Sequence, residues 1–135
     1  MHTFTLHIQT PGECFVHEHL VFAHLPGFSG VVGVRAHHAP MVIQLASGTL
    51  HLSQKNKTAH YFINPGIAHI SKDHCLIITE QSQKLDDLDP RVLKEQLEAY
   101  HDDLAGMDLD HEQRFIEREI QITRAMLKAT NHRKI

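Results

Sequence analysis

The chain lacks tryptophan, has only two cysteines and contains no long apolar run. Cys14 and Cys75 lie far apart and neither belongs to a CxxC pair, so the spacing indicates reduced thiols rather than a disulfide framework or structural zinc site. No stretch approaches the ~20 apolar residues that span a bilayer, and the N-terminus has the pattern of neither a leader nor a transit segment. These absences predict a protein of a cytosol-like compartment that reaches a membrane only through a partner.

Charge is also scarce, and it is unevenly divided. The 135 residues carry a formal charge of −3, without the basic patch that is typical of nucleic-acid binding. Residues 1–80 hold four acidic and four basic side chains, whereas the remaining 55 residues hold 12 acidic and 9 basic side chains. Histidine shows the opposite bias, since 11 of the 14 precede residue 80. This shift predicts two domains, residues 1–84 and 85–135.

The first domain has the pattern of a small β structure. Residues 3–9 alternate, with Phe4, Leu6 and Ile8 on one face, which is the period of a half-buried strand. Further strands, separated by turn signals, are predicted over residues 15–25, 41–45, 48–53, 59–63, 67–70 and 75–79. Many short strands at this spacing predict a β-sandwich or a barrel.

The second domain has the pattern of two helices. Asp89 is a suitable N-cap and Pro90 suits the first helical position. Apolar residues then recur at spacings of three and four as far as Gly106, and Asp110 starts a second amphipathic stretch with Gln113 in the capping-box position. The short connection predicts that the helices are antiparallel neighbours.

The most distinctive stretch is residues 25–40, with the sequence LPGFSGVVGVRAHHAP, followed closely by Gly48-Thr49-Leu50. Its glycines and prolines suit tight reversals between short strands, and the predicted turn positions are Pro26, Gly27, Gly33 and Gly48. The stretch resembles the P-G-x-x-G-x-x-G-[VI], H-A-P and L-x-x-G-x-L run of the epsilon subunits of F-type ATP synthases. This resemblance covers nearly the whole chain and implies an N-terminal β-sandwich of about ten short strands followed by a C-terminal two-helix antiparallel hairpin.

The resemblance also implies a role without catalysis. Family members are peripheral rotor proteins on the cytoplasmic face of the inner membrane, where they bind the gamma subunit, rest on the ring of c subunits and act beneath the alpha/beta catalytic head. They couple proton or sodium flow to ATP synthesis, and in many of them the helical hairpin inhibits ATP hydrolysis. Carried over to this sequence, the c-ring interface comprises Phe28, Ser29, Gly30 and Val31, with His38, Ala39 and Pro40 close by.

Two departures from the family pattern affect these expectations. Acidic residues are common in the family at the positions of Ser29 and Val31, so ring contact here is expected to depend more on apolar burial. Some members bind ATP through an I/L-D-x-x-R-A motif, whereas this chain reads LDPRV over residues 88–92, and the early arginine is rotated by about 100° on the helix. The candidate ATP residues are Arg91, Arg114 and Arg118, and the alternative is a solvated basic face; no other cofactor is implied.

The histidines support a rival hypothesis. His17 and His19 share one face of a strand, and with His24 and His69 they are candidate metal ligands. Residues 65–69 also resemble the P-G-x-x-H turn of cupins, which are metal-binding β-barrels, although the nearest acid, Glu18, lies between the two histidines and points to the opposite face. Two further interpretations remain: polar surface substitutions, or a set of groups that titrate together near pH 6.5 and alter stalk contact.

Overall fold

The computed structural model describes residues 2–108 and 110–133, with side chains as far as Thr130. The chain divides into two compact units, Met1–Lys84 and Leu85–Ile135. Residues 1, 109, 134 and 135, which the predicted domain ranges include, lie outside the described residues.

Nine strands are found within the described part of the first unit. They are β1 (Phe4–Gln9), β2 (Cys14–Gly27), β3 (Gly30–Val34), β4 (Met41–Leu45), β5 (Gly48–Gln54), β6 (Thr58–Ile63), β7 (Gly66–Ile70), β8 (His74–Thr79) and β9 (Ser82–Lys84). Their hydrogen-bonded order is β1-β8-β7-β4-β2-β5-β6-β9, with β3 paired to β2 and β1 also paired to β2. The pairing of β1 with β8 is parallel. The predicted β-sandwich is confirmed, with nine described strands where about ten were expected.

Strand β2 belongs to both layers of the sandwich. It pairs with β1 at its beginning and with β5 and β3 further along. His19 has a φ of +59°, and the register against β5 shifts between Leu20 and Phe22. Such an irregularity bends a strand and increases its twist. The chain therefore turns at residues 19–22 from one layer into the other.

The core of the first unit comes from the inward positions of these strands. Phe4, Leu6 and Ile8 are at most 3% exposed, as the alternation of β1 predicted. The other members of the cluster are Leu20, Ala23, Leu25, Val34, Leu45, Leu50, Leu52, Tyr61, Ile63, Ala68, Ile70, Cys75 and Ile77. Burial of aliphatic side chains at about 25 cal/mol per Å² is the main term that stabilises such a sandwich.

Of the predicted turn positions, Gly27 and Gly48 lie next to turns, at the end of β2 and the start of β5, whereas Gly33 lies inside β3. Pro26, Gly27, Gly33 and Gly48 all lie within strands β2, β3 and β5. A Cβ on Gly33 would lie only 3.1 Å from the ring of Phe22. The close approach of the Phe22 ring to the backbone, rather than a chain reversal, is what favours glycine at position 33.

The second unit contains a 3₁₀ turn (Leu85–Asp87) and two helices, α1 (Pro90–Ala105) and α2 (Asp110–Arg133). The Asp89 side chain accepts a hydrogen bond from the Arg91 N–H at 2.9 Å, which confirms the predicted N-cap. Gln113 does not close a capping box, because its side-chain amide donates to the Met107 carbonyl at 2.8 Å. The two helices pack against each other, and Arg124 reaches the ring of His101. The predicted helical hairpin is confirmed.

Candidate interaction surfaces

The hairpin between β2 and β3 ends in a two-residue loop formed by Phe28 and Ser29. Gly27 and Gly30 form the last pair of this hairpin, and Gly30 has a φ of +134°, which residues with a side chain rarely adopt. The Phe28 N–H donates to the Gln44 carbonyl at 2.9 Å. The loop is therefore anchored to β4 through its backbone, and the Phe28 side chain is not needed to hold it.

The tip of this hairpin carries two solvent-facing apolar side chains. Phe28 is 69% exposed and Val31 is 73% exposed, which are the highest values among the large apolar side chains that the structure describes. Adjacent apolar groups held in water are typical of a contact surface. The tip thus brings together four residues of the predicted interface: Phe28, Ser29, Gly30 and Val31.

The H-A-P segment lies elsewhere. His38, Ala39 and Pro40 connect β3 to β4 at the end of β3 that is distant from the hairpin tip. The two sites are separated by the strand Gly30–Val34, about 13 Å at the usual rise per residue. The expectation that this segment lies close to the tip is therefore wrong, because residues 30–34 form a strand rather than a further turn.

A second surface was not predicted: the solvent-facing side of β2, β1, β8, β7 and β4, which we call the outer face. Two rows of paired residues cross it, Cys14-Gln9-Ile78-Ile67-Gln44 and Val16-His7-Leu76-His69-Val42. None of these ten residues is Asp, Glu, Lys or Arg. Val16, Val42, Ile67 and Ile78 are each 50% to 63% exposed. The sequence signal for this face is the set of alternate positions in β7 and β8 that point outward. It was not recognised because apolar residues occupy both the inward and the outward positions of these short strands.

The candidate metal ligands occupy different surroundings. The ring Nε2 of His17 lies 2.8 Å from the Tyr61 hydroxyl. His19 is exposed at the bend of β2, and His69 lies on the outer face. His24 packs edge to face on the Phe22 ring, with centroids 4.3 Å apart. In the part of the chain that the structure describes, no group of three or more His, Cys, Asp or Glu side chains is arranged to hold a metal ion. The cupin-like hypothesis is therefore not supported.

Two histidines have a lowered pKa. Burial, followed by the charges of Lys57 and Lys84, lowers the pKa of His17. Burial, followed by the neighbouring His60 and His24, lowers the pKa of His51. Both groups resist protonation in the folded state.

The two cysteines differ in accessibility. Cys14 is exposed on the outer face, whereas Cys75 lies in the core and burial raises its pKa to about 12. Both thiols are free, as the spacing predicted.

The candidate ATP residues lie on the two helices. Arg91 is 90% exposed at its side chain, and its Nε lies 3.8 Å from the carboxylate of Asp89. Arg114 and Arg118 are exposed and lie one turn apart on α2. Neither helix of the described ranges is both long and apolar enough to cross a membrane.

The structure is a β-sandwich with an appended helical hairpin, in which apolar side chains are exposed at one hairpin tip and on one sheet face. Residues 3–84 match the model of the family described as ATP synthase, Delta/Epsilon chain, beta-sandwich domain. The chain belongs to this family, and its curated relatives are bacterial epsilon chains.

Two curated relatives and one solved structure illustrate the extent of similarity. The ATP synthase epsilon chain of Lawsonia intracellularis is 31% identical over 84 residues, which are 62% of this chain and 63% of that relative. The chain thus matches less than two thirds of that relative's length. The "ATP synthase epsilon chain, sodium ion specific" of Propionigenium modestum is 26% identical over 121 residues, or 90% and 88% of the two chains. A chain of the Euglena gracilis mitochondrial ATP synthase has the same fold, with a TM-score of 0.81, 23% identity, and coverage of 96% of this chain and 82% of that one.

Proposed function

We propose that this chain is a rotor protein of the central stalk of an F-type ATP synthase, which couples ion flow to ATP synthesis without catalysing a reaction itself. The family sandwich over residues 3–84 is the observation that carries the proposal. The two exposed apolar surfaces support it, because a subunit that transmits rotation must be held by contacts rather than by a reactive centre.

The hairpin tip is the proposed contact with the ring of c subunits. Phe28 and Val31 are held in water by an anchored backbone, so their burial against a partner costs little ordering of the loop. Ser29 and Gly30 complete this tip. The segment His38-Ala39-Pro40 stays a predicted part of the ring interface, at the other end of β3.

The outer face is the proposed contact with the gamma subunit. Five of the ten positions in its two rows are aliphatic, and none of the ten is Asp, Glu, Lys or Arg. Loss of charged residues from the centre of a surface is a mark of protein interfaces. Together with the tip, this face would hold the sandwich between the gamma subunit and the ring, as a peripheral protein on the cytoplasmic face of the inner membrane.

The helical hairpin is the proposed brake on ATP hydrolysis by the alpha/beta head. It forms a compact unit of its own, with Asp89 as the N-cap of α1 and a short connection between its helices. Arg91, Arg114 and Arg118 are the proposed contacts for ATP or for acidic surfaces of the head. The coupling ion is H⁺ or Na⁺.

Reconstitution tests the coupling role. Synthase stripped of its own epsilon subunit is placed in sealed vesicles, and ATP-driven ion uptake is measured with and without this chain. Ile67→Asp should weaken restoration because it puts a charge on the outer face, whereas Thr58→Asp adds the same charge on the exposed end of β6 and should restore uptake fully. No restoration by the unaltered chain would contradict the proposal.

Truncation tests the brake. The chain is shortened after Leu88, which removes α1 and α2, and hydrolysis is measured in the assembled complex. Faster hydrolysis with intact assembly is expected. Unchanged hydrolysis in a correctly assembled complex would rule out the inhibitory role and leave the coupling role standing.

A further inference from the structure

Two histidines that are distant in sequence face each other across the parallel strands β1 and β8. Thr5 pairs with His74 and His7 pairs with Leu76, so the two histidines occupy diagonal positions on one face of the sheet. The Nδ1 atom of His7 lies 2.8 Å from the Nε2 atom of His74, and the pair is partly buried. Their ring centroids are 4.4 Å apart, with the planes tilted by 56°.

This separation is close to that of two nitrogens bound to one metal ion. An imidazole nitrogen binds a first-row divalent metal at about 2.0–2.1 Å, so two such nitrogens at a right angle are about 2.9 Å apart. The observed N–N distance of 2.8 Å therefore fits two ligands of one ion, once the rings turn so that both lone pairs point at the ion. Right-angled nitrogen ligands suit Cu²⁺ and Ni²⁺, and affinity for a nitrogen site is highest for Cu²⁺.

We propose that His7 and His74 form a two-imidazole clip for a divalent transition metal, with Cu²⁺ bound most tightly and water completing the coordination. In the metal-free pair, one of the two facing nitrogens carries the proton of the N–H···N contact. On binding, that proton moves through solvent to the outer nitrogen of the same ring, and both facing lone pairs bind the ion. Two neutral rings release no net proton, and a protonated ring releases one.

The surroundings distinguish this pair from the other histidines. The row His24, His51 and His60 meets edge to face, with centroids 5.8 and 4.2 Å apart, so ring edges rather than facing nitrogens make those contacts. No third ligand is assigned to the clip, in agreement with the absence of any three-residue metal group in the residues that the structure describes.

The test uses the full chain without a polyhistidine tag, because a tag would bind the same ions. Protein labelled with ¹⁵N-histidine is titrated with Cu²⁺ below one equivalent, and imidazole signals are followed by NMR. The signals of His7 and His74 should broaden first. Equilibrium dialysis with Cu²⁺ and Ni²⁺ should show that His7→Gln and His74→Gln each lower affinity about 100-fold, because either change removes the chelate effect.

His69→Gln is the matched control, since this exposed histidine lies on the neighbouring strand β7 opposite Leu76. Its affinity should equal that of the unaltered chain. Unchanged affinity in both clip variants would overturn the proposal, as would earlier broadening of His24, His51 and His60. The labelling experiment decides the matter even if a clip variant does not fold.

Discussion

The hairpin tip gives the sharpest test of the proposed ring contact, through Phe28→Ala. This side chain is 69% exposed, and the loop is held by the hydrogen bond from the Phe28 N–H to the Gln44 carbonyl. The free energy of unfolding should therefore change by less than about 0.5 kcal/mol. Full burial of a phenylalanine contributes about 1.5–3 kcal/mol, so burying the exposed two thirds contributes about 1–2 kcal/mol. Removing it should raise the dissociation constant about 5- to 30-fold.

The assay measures binding of the purified chain to the isolated, detergent-solubilised c ring from the native membranes. Phe115→Ala is the matched control. Phe115 is 59% exposed on α2, and its replacement removes the same phenyl group at a distant position in the sequence. Its dissociation constant should match that of the unaltered chain. An unchanged constant for Phe28→Ala, with an unchanged melting temperature, would refute the assignment of the tip. An equal loss in both variants would indicate nonspecific adhesion of exposed aromatics.

Three further predictions concern stability. A Cβ on Gly66 would overlap the carbonyl oxygen of Ile78, so Gly66→Ala should lower the free energy of unfolding in urea by about 1–3 kcal/mol. A Cβ on Gly12 meets no atom within 4 Å, so the control Gly12→Ala should lower it by less than about 0.5 kcal/mol. The lowered pKa of His51 means that the unfolded chain takes up a proton more readily, so its contribution to stability is complete above the ordinary pKa of 6.5 and falls as the pH drops below it. His51→Gln should therefore make the stability profile between pH 5 and 8 shallower in thermal melts, while the contribution of His17 remains. Asp89→Ala removes the N-cap bond of α1 and should cost about 0.5–2 kcal/mol locally, measured as faster amide exchange in the first turn of α1.

Local sequence pattern predicted much of this fold for a physical reason. The alternation around Phe4, Leu6 and Ile8 requires one buried face, and the structure buries it. Asp89 and Pro90 each satisfy a local requirement of a helix start, which distant contacts do not alter. Strand β3 was missed because Gly30 and Gly33 suggested reversals.

The surfaces depend on pairings that no local pattern contains. Ile67 and Ile78 become neighbours only through the pairing of β7 with β8. His7 and His74 are 67 residues apart and meet only because β1 runs parallel to β8. The glycine at position 33 is explained by a ring on another strand. A sequence shows which residues prefer the interior, but the partners across a sheet come from the topology.

The central claim is that this chain is part of an ATP synthase rotor. The most direct measurement is an affinity pull-down of the tagged chain from detergent-solubilised native membranes, with the co-purifying chains identified by mass and the tag alone as the control. We expect the gamma, alpha and beta subunits and the c ring to be recovered together. Recovery of the chain alone, from membranes in which the synthase remains assembled, would contradict the account.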